Sequence, residues 1–293
     1  MSANTPTPTS APPVTRKPTD QEIDVYGLTH PGKVRKTNQD HFLVASLRKS
    51  IDVHYTSLPD SEKLVVSRER IAFLVMVADG VGGGAGGEQA SRFALEQASQ
   101  YVSNSLQCYY SADAREEAFQ DMLQQAAQRV HASMLEQANA DPELRGMATT
   151  LTLFLGVWPW AYLLQVGDSR YYLYREGRLT QVSRDQTMAQ ALLDQGVITQ
   201  ADLERSPWGH VLSSAIGGKQ TEPVVTRLRS DWRNVHLWCT DGLTKHVSDE
   251  RIRERLGGMQ SAKHACEMLL QDALDGGGSD NVTIIVGRTM PQG

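Results

Sequence analysis

The sequence predicts an α+β fold in which sheets stack on one another and helices lie outside them. Three features of the 293-residue chain point there. Short apolar segments with strand character cluster together, segments of helical period come in pairs, and the two kinds do not alternate as a doubly wound parallel sheet requires.

In chain order, strand patterns cover about Ile23–Leu28 and His41–Leu47. Between Arg48 and Arg70 the sequence is polar and mixed, with Pro59 inside, and reads as a loop or hairpin insertion. The run Ile71-Ala72-Phe73-Leu74-Val75-Met76-Val77-Ala78 is continuous, apolar and short, as expected of a buried strand. Two helices follow. Glu88 to about Leu106 carries Ala90, Phe93, Ala94, Ala98 and Tyr101 at helical spacing; Ala114 to about Asn139 carries Phe119, Leu123, Ala126, Val130, Met134 and Leu135 on one face, with Pro142 as its stop. Strands return at about Met147–Leu155, Ala161–Val166 and Tyr171–Tyr174. A mixed segment, Gln186–Trp208, precedes strand patterns at Val211–Ile216, Val224–Leu228 and Val235–Cys239. Helices are expected at Asp249–Arg255 and Ser261–Leu274, and a last strand at Val282–Val286.

Composition narrows the function. Hydrophobic residues make up 40% and charged residues 22%, ordinary for a globular chain, and the net charge is −5. No basic run is dense enough to track nucleic-acid phosphates. Cys108, Cys239 and Cys266 are odd in number and widely spaced, which predicts free thiols in a reducing compartment. Residues 1–20 read as a disordered tail without a signal sequence, and 21–290 as a single domain. Gly146–Gly167 lacks charge and is long enough to cross a bilayer, but Pro159, flanked by Trp158 and Trp160, divides it. Two buried strands joined by a Trp-Pro-Trp turn are expected, and no membrane span.

Four aspartates stand at strand ends beside glycine, serine or asparagine: Asp79, Asp168, Asp241 and Asp280. A fifth, Asp40, closes Arg35-Lys36-Thr37-Asn38-Gln39-Asp40. Singly, such an aspartate is ordinarily a turn residue that bonds its own backbone. Together they differ, because three directly follow apolar strands and would emerge at one edge of a packed core. Clustered carboxylates repel unless a cation compensates. Oxygen ligands without His or Cys suit Mg²⁺ or Mn²⁺, and Gly80 lets a backbone carbonyl approach an ion. His41 and His246 lie next to these segments without ligand spacing to another His, so packing or solvent exposure is expected for both. Gly82, Gly84 and Gly87 satisfy G-x-G-x-x-G, but two long helices follow where a second βα unit belongs. A loop beside the metal site is expected there, not a dinucleotide cradle.

These segments together resemble the protein phosphatase 2C family, of bacterial type. The resemblance runs from about Glu22 to Arg288. It rests on Arg35 and Asp40, Asp79-Gly80 with its glycine run, Gly146-Met147-Ala148-Thr149-Thr150, Gly167-Asp168-Ser169-Arg170, Val211-Leu212-Ser213-Ser214-Ala215-Ile216-Gly217, Asp241-Gly242-Leu243 and Asp280-Asn281, in that order. It implies a four-layer α-β-β-α sandwich, two central antiparallel sheets flanked by helix pairs. It also implies a serine/threonine protein phosphatase using two or three Mn²⁺ or Mg²⁺ ions. By position, Asp79 would bridge two ions, the Gly80 carbonyl would bind the second, and Asp241 and Asp280 the first. Asp168 with Asp241 would hold a third. Asp40 would orient the attacking water and Arg35 would bind the substrate phosphate, its fork meeting two phosphate oxygens. Val81 stands where eukaryotic members often carry His, which leaves the proton donor unassigned, with metal-bound water as the hypothesis. Residues 184–209 would form a flap contacting substrate. Phosphorylated proteins as substrates, an opposing serine/threonine kinase and a monomeric state are expected by the same resemblance. The competing reading is a non-catalytic phosphoprotein-binding module of the same fold.

Overall fold

The computed structural model describes residues 16–48, 70–82, 85–109, 116–203 and 205–291. Among these, eleven strands form two sheets: β1 (Ile23–His30), β2 (Asp40–Arg48), β3 (Arg70–Val81), β4 (Ala148–Thr149), β5 (Leu151–Val157), β6 (Trp160–Val166), β7 (Arg170–Arg175), β8 (Arg178–Gln181), β9 (Val224–Arg229), β10 (Val235–Cys239) and β11 (Val282–Thr289). The helices are α1 (Ala85–Tyr109), α2 (Glu116–Ala140), α3 (Met188–Asp194), α4 (Gln200–Leu203), α5 (Asp241–Thr244), α6 (Asp249–Gly257) and α7 (Ala262–Asp275). One sheet runs β1-β11-β10-β7-β8; the other runs β2-β3-β5-β6-β9, with β4 pairing β3. The pairings are antiparallel, as in β1 with β11 and β2 with β3.

The two-residue period of the strands assigns each side chain to a layer. Along β3, Leu74, Met76 and Ala78 join α1 and α2 in one core. Val75 and Val77 point the other way, into a core shared with Trp238 and Ile285 of the opposite sheet. On β10 and β11, Leu237, Cys239, Ile284 and Val286 meet α6 and α7 in a third core. Three apolar interfaces between four layers give the α-β-β-α sandwich. Each fully buried aliphatic side chain contributes about 1.5–3 kcal/mol, which is why Ile71–Ala78 of β3 reads as an unbroken apolar run and β5 and β11 are rich in Leu, Ile and Val. Between the sheets, Phe154 meets the Trp238 ring edge-on with centroids 5.1 Å apart, while His236 stacks on Trp238.

Most expected elements are present, with differences that have local causes. Val211–Ile216 is not a strand. It makes isolated bridges through Leu212 to Thr187 and through Ile216 to Thr149, so no strand edge runs beside it long enough to form a ladder. The strand expected at Met147–Leu155 breaks into β4 and β5 at Thr150, whose N–H donates to the Asp79 carbonyl at 2.9 Å. Strand β8 was not expected. Glu176 and Gly177 both take positive φ, 50° and 83°, the two-residue hairpin geometry that folds β8 back on β7. Gly146–Gly167 forms β4, β5 and β6, and among the described residues no helix is long and apolar enough to cross a membrane.

The first fifteen residues and the insertion at 49–69 lie outside the described residues. Residues 16–20, expected as the end of the tail, bury Pro18 and bond to the domain, while Arg16, Thr19 and Asp20 are exposed. The Arg16 carbonyl accepts from Trp232 Nε1 at 3.0 Å, and Arg70 Nη2 donates to the Pro18 carbonyl at 2.7 Å.

Candidate metal centre

Antiparallel pairing brings the relevant strand ends to one edge of the sandwich. Strand β2 begins with Asp40 and β3 nears its end at Asp79, and the two are cross-strand partners. In the other sheet β10 ends at Cys239, so Thr240 and Asp241 follow at the same edge, and Asp280 immediately precedes Asn281 and β11. Asp168 lies in the turn between β6 and β7. All five predicted carboxylates therefore converge on one rim, between the sheets.

Each is held by a specific device. Asp40 is only 2% exposed. Its Oδ2 accepts from the hydroxyls of Thr240 and Thr283, each at 2.8 Å, which ties one sheet to the other. Its Oδ1 is buried without a partner. Asp79 is fixed through its backbone: its N–H donates to Thr150 Oγ1 at 2.9 Å, and its carbonyl accepts from Thr149 Oγ1 at 2.8 Å. Thr150 Oγ1 also pairs with Ser169 Oγ at 2.8 Å, coupling the Asp79 segment to the turn that carries Asp168. Gly80 has no room for a side chain, since a Cβ there would lie 2.1 Å from the Gly87 carbonyl oxygen. At Gly242 a Cβ would lie 1.8 Å from the Asn281 carbonyl oxygen.

The electrostatics match a site short of positive charge. Burial pushes the Asp79 carboxyl well above its ordinary range, and Asp40, Asp241, Asp168 and Asp280 push it further. Burial and the neighbouring Asp241 raise Asp168 to about 7. Asp40 also rises to about 7, because burial outweighs the two threonine hydroxyls. Asp280 is the exception. Burial would raise it, but Arg35 and Lys245 bring it below the ordinary carboxylate range. Arg35 Nε lies 2.7 Å from Asp280 Oδ1. Lys245 Nζ lies 2.6 Å from Asp241 Oδ2 and 2.7 Å from Asp280 Oδ2.

Among the described residues no three His, Cys, Asp or Glu side chains close on one point as a finished metal cage. The donor chemistry nevertheless fits a hard divalent cation. Every candidate donor is oxygen, Asp40 Oδ1 is an orphaned buried acceptor, and four carboxylates act on Asp79. Mutual repulsion of this kind is what a bound cation offsets.

Several residues that shape the rim escaped sequence reasoning. Asn281 was part of a motif without a role. Its Nδ2 donates to the carbonyls of Pro31 and Thr37, and its Oδ1 accepts from Gln39 N, so it clamps the loop that presents Arg35. His246 Nε2 accepts from the Ser279 N–H at 2.9 Å, holding the turn before Asp280. His41 Nδ1 pairs with Ser91 Oγ on α1 at 2.9 Å. Lys245 was not singled out at all, although its position at the C-cap of α5, four residues after Asp241, sets it beside that carboxylate.

The 184–209 segment contains α3 and α4 and joins the rim through Gln186, whose N–H donates to the Gly167 carbonyl while its Oε1 accepts from Gly167 N. Arg170 grips Asp185 with Nη2 to Oδ2 at 2.7 Å. Between flap and carboxylates lies a polar cavity of about 470 Å³, lined by Asp168, Arg170, Asp185, Asp241, Lys245 and Asp249 among others. A smaller, more apolar cavity of about 90 Å³ sits at the far end of the sandwich, by Phe73, Trp158 and His236, away from the carboxylate rim.

A family model described as protein phosphatase 2C matches residues 58–275. The chain belongs to the protein phosphatase 2C family. It is 35% identical over 215 residues to the serine/threonine protein phosphatase PstP of Mycobacterium tuberculosis, a match covering 73% of this chain. The match spans 40% of the length of that relative. The crystal structure of M. tuberculosis PstP/Ppp superposes with a TM-score of 0.74 at 30% identity, covering 92% of this chain and 99% of the other. A structure of the catalytic domain of PstP in complex with two manganese ions superposes with a TM-score of 0.69 at 29% identity, covering 92% and 99%. The two-sheet sandwich is thus the fold of this family.

Proposed function

We propose that this chain is a metal-dependent serine/threonine protein phosphatase that transfers the phosphoryl group of phosphoserine or phosphothreonine to water. One observation carries the reading: Asp40, Asp79, Asp168, Asp241 and Asp280, from separate strand ends, share one rim where the Asp79 carboxyl is raised by burial and then by the other four. Its resemblance to relatives named as serine/threonine phosphatases supports the same reaction.

Asp79 with the Gly80 carbonyl, Asp241 and Asp280 are the residues to hold two Mn²⁺ or Mg²⁺ ions, and Asp168 with Asp241 to hold a third. Bound there, divalent ions would supply Lewis-acid charge and make water more acidic. The remaining work falls to the chain's own groups. Asp40 Oδ2 is locked by two threonine hydroxyls, so Oδ1 is the atom left to accept from the attacking water and set its line of approach. Arg35, 55% exposed on its loop, turns its guanidinium from Asp280 to two oxygens of the phosphate, offsetting charge in the transition state. The flap and its polar cavity receive the peptide around the phosphorylated residue.

Cys239 and Cys266 are buried free thiols, which supports a reducing, cytoplasmic setting. There a serine/threonine kinase would supply the phosphorylated proteins, and the chain would act as a monomer. The test is phosphate release from a phosphothreonine peptide with Mn²⁺, with Mg²⁺ and with chelator, for the native chain and Asp241→Asn. Metal-dependent release abolished by the substitution supports the reading. A folded, metal-loaded chain that binds the peptide without releasing phosphate would favour the non-catalytic module.

A further inference from the structure

Lys245 is the one feature of the rim that the metal-site reading does not absorb. It caps the C-terminus of α5, four residues after Asp241, and its ammonium bridges two carboxylates from different segments, Asp241 Oδ2 at 2.6 Å and Asp280 Oδ2 at 2.7 Å. These are the two side chains assigned to one ion. An ammonium nitrogen at hydrogen-bond distance from both oxygens stands where an ion between them would draw on the same lone pairs, and adds a positive charge there. The side chain is 23% exposed and borders the 470 Å³ polar cavity that Asp185 and Asp249 also line. It therefore has open space to move into, with further carboxylates along the wall.

We propose that Lys245 is a tethered counter-cation for the metal centre: it holds Asp241 and Asp280 together when no ion is bound and must leave for the ion to enter, so it weakens metal affinity. This rests on the phosphatase reading of the carboxylate rim and adds a determinant of how tightly that rim is charged with metal. Arg35 grips both oxygens of Asp280, Nε to Oδ1 at 2.7 Å and Nη2 to Oδ2 at 3.0 Å; these bonds reach one carboxylate and do not span to Asp241, so they do not replace the bridge.

The competition is a population effect. A site whose ligands are mostly occupied by an internal cation shows an affinity reduced by the fraction that is free. Lys245→Met keeps most of the side-chain volume and deletes the charge. Isothermal titration of the full chain with Mn²⁺ should then show affinity tightened by roughly tenfold or more, given the strength of a close, partly buried charge pair. In chelator, Lys245→Met should melt at a lower temperature than the native chain, because Asp241 and Asp280 lose their bridge. In saturating Mn²⁺ that difference should vanish. A Lys that merely stabilises the fold would shift melting alike in both conditions and leave the Mn²⁺ affinity unchanged. Equal or weaker Mn²⁺ binding by Lys245→Met overturns the proposal. If the variant folds only with metal, transfer of Mn²⁺ from the loaded protein to a chelating dye gives the same comparison. It should be slower to surrender the ion than the native chain, and equal or faster transfer overturns the idea. Absence of Mn²⁺ binding by both proteins would remove the phosphatase reading itself, whereas equal binding removes only the role of Lys245.

Discussion

Asp40→Asn should make the metal-free protein more stable and the enzyme less active. The native carboxyl is 2% exposed and is raised from an ordinary 3.8 to about 7. A raised folded-state value means that the native state binds the proton more tightly than the unfolded chain, so native stability declines as pH climbs from about 4 to about 7. Above that range the ionised carboxylate costs about 4 kcal/mol at most. Because Asp241 and Asp280 share in the interaction, a gain of about 2–4 kcal/mol on removing the charge is expected. Asparagine keeps an oxygen to accept from Thr240 and Thr283. Urea unfolding in chelator at pH 8 should show the gain, and at pH 4, where both side chains are neutral, it should shrink towards zero. Phosphate release by the metal-loaded variant should fall by about 10²-fold, as expected for losing the group that positions the attacking water. A variant less stable than native at pH 8 would refute the claim that Asp40 is held charged at a cost.

Other perturbations test separate parts of the rim. Gly242→Ala, whose Cβ would sit 1.8 Å from the Asn281 carbonyl oxygen, should cost about 1–3 kcal/mol in chemical denaturation, since backbone must move. It should also weaken Mn²⁺ binding by displacing Asp241. Arg35→Lys keeps the charge but loses the fork, so kcat/KM for peptide and aryl phosphate alike should fall by about tenfold to a hundredfold in steady-state assays. Replacing the α3–α4 tip of the flap by a short Gly-Ser linker should alter preference among phosphopeptides more than hydrolysis of a small aryl phosphate. Equal losses on both substrates would contradict a substrate-contacting flap. Chelator should lower the melting temperature at pH 8 more than at pH 5, because Asp40 and Asp168, both raised to about 7, lose their charge as pH falls.

The layers and the positions of the five aspartates were legible in the sequence because both follow from strands. An apolar run such as Ile71–Ala78 declares its burial, and an aspartate directly after it must emerge at the strand end. What the sequence did not disclose depended on partners far along the chain. Thr240 and Thr283 look like ordinary strand-end threonines until both hydroxyls meet Asp40 Oδ2 from the opposite sheet. Asn281 clamps the Arg35 loop across about 250 residues, a contact no local pattern encodes. Val211–Ile216 alternates well enough for a strand but lacks a neighbouring edge. Two signals were readable in hindsight: Glu176-Gly177 as a tight hairpin turn, and the spacing of Asp241 and Lys245, the first residue and the C-cap of one short helix.

The most direct test is diffraction from crystals grown with Mn²⁺, collected at the manganese absorption edge. Anomalous peaks are predicted on both sides of the Asp79 carboxylate, one shared with Asp241 and Asp280 and one with the Gly80 carbonyl, with the Lys245 ammonium withdrawn from Asp280. Manganese bound elsewhere, or a rim still closed by Lys245 at saturating Mn²⁺, would contradict the assignment of these carboxylates as the catalytic metal centre.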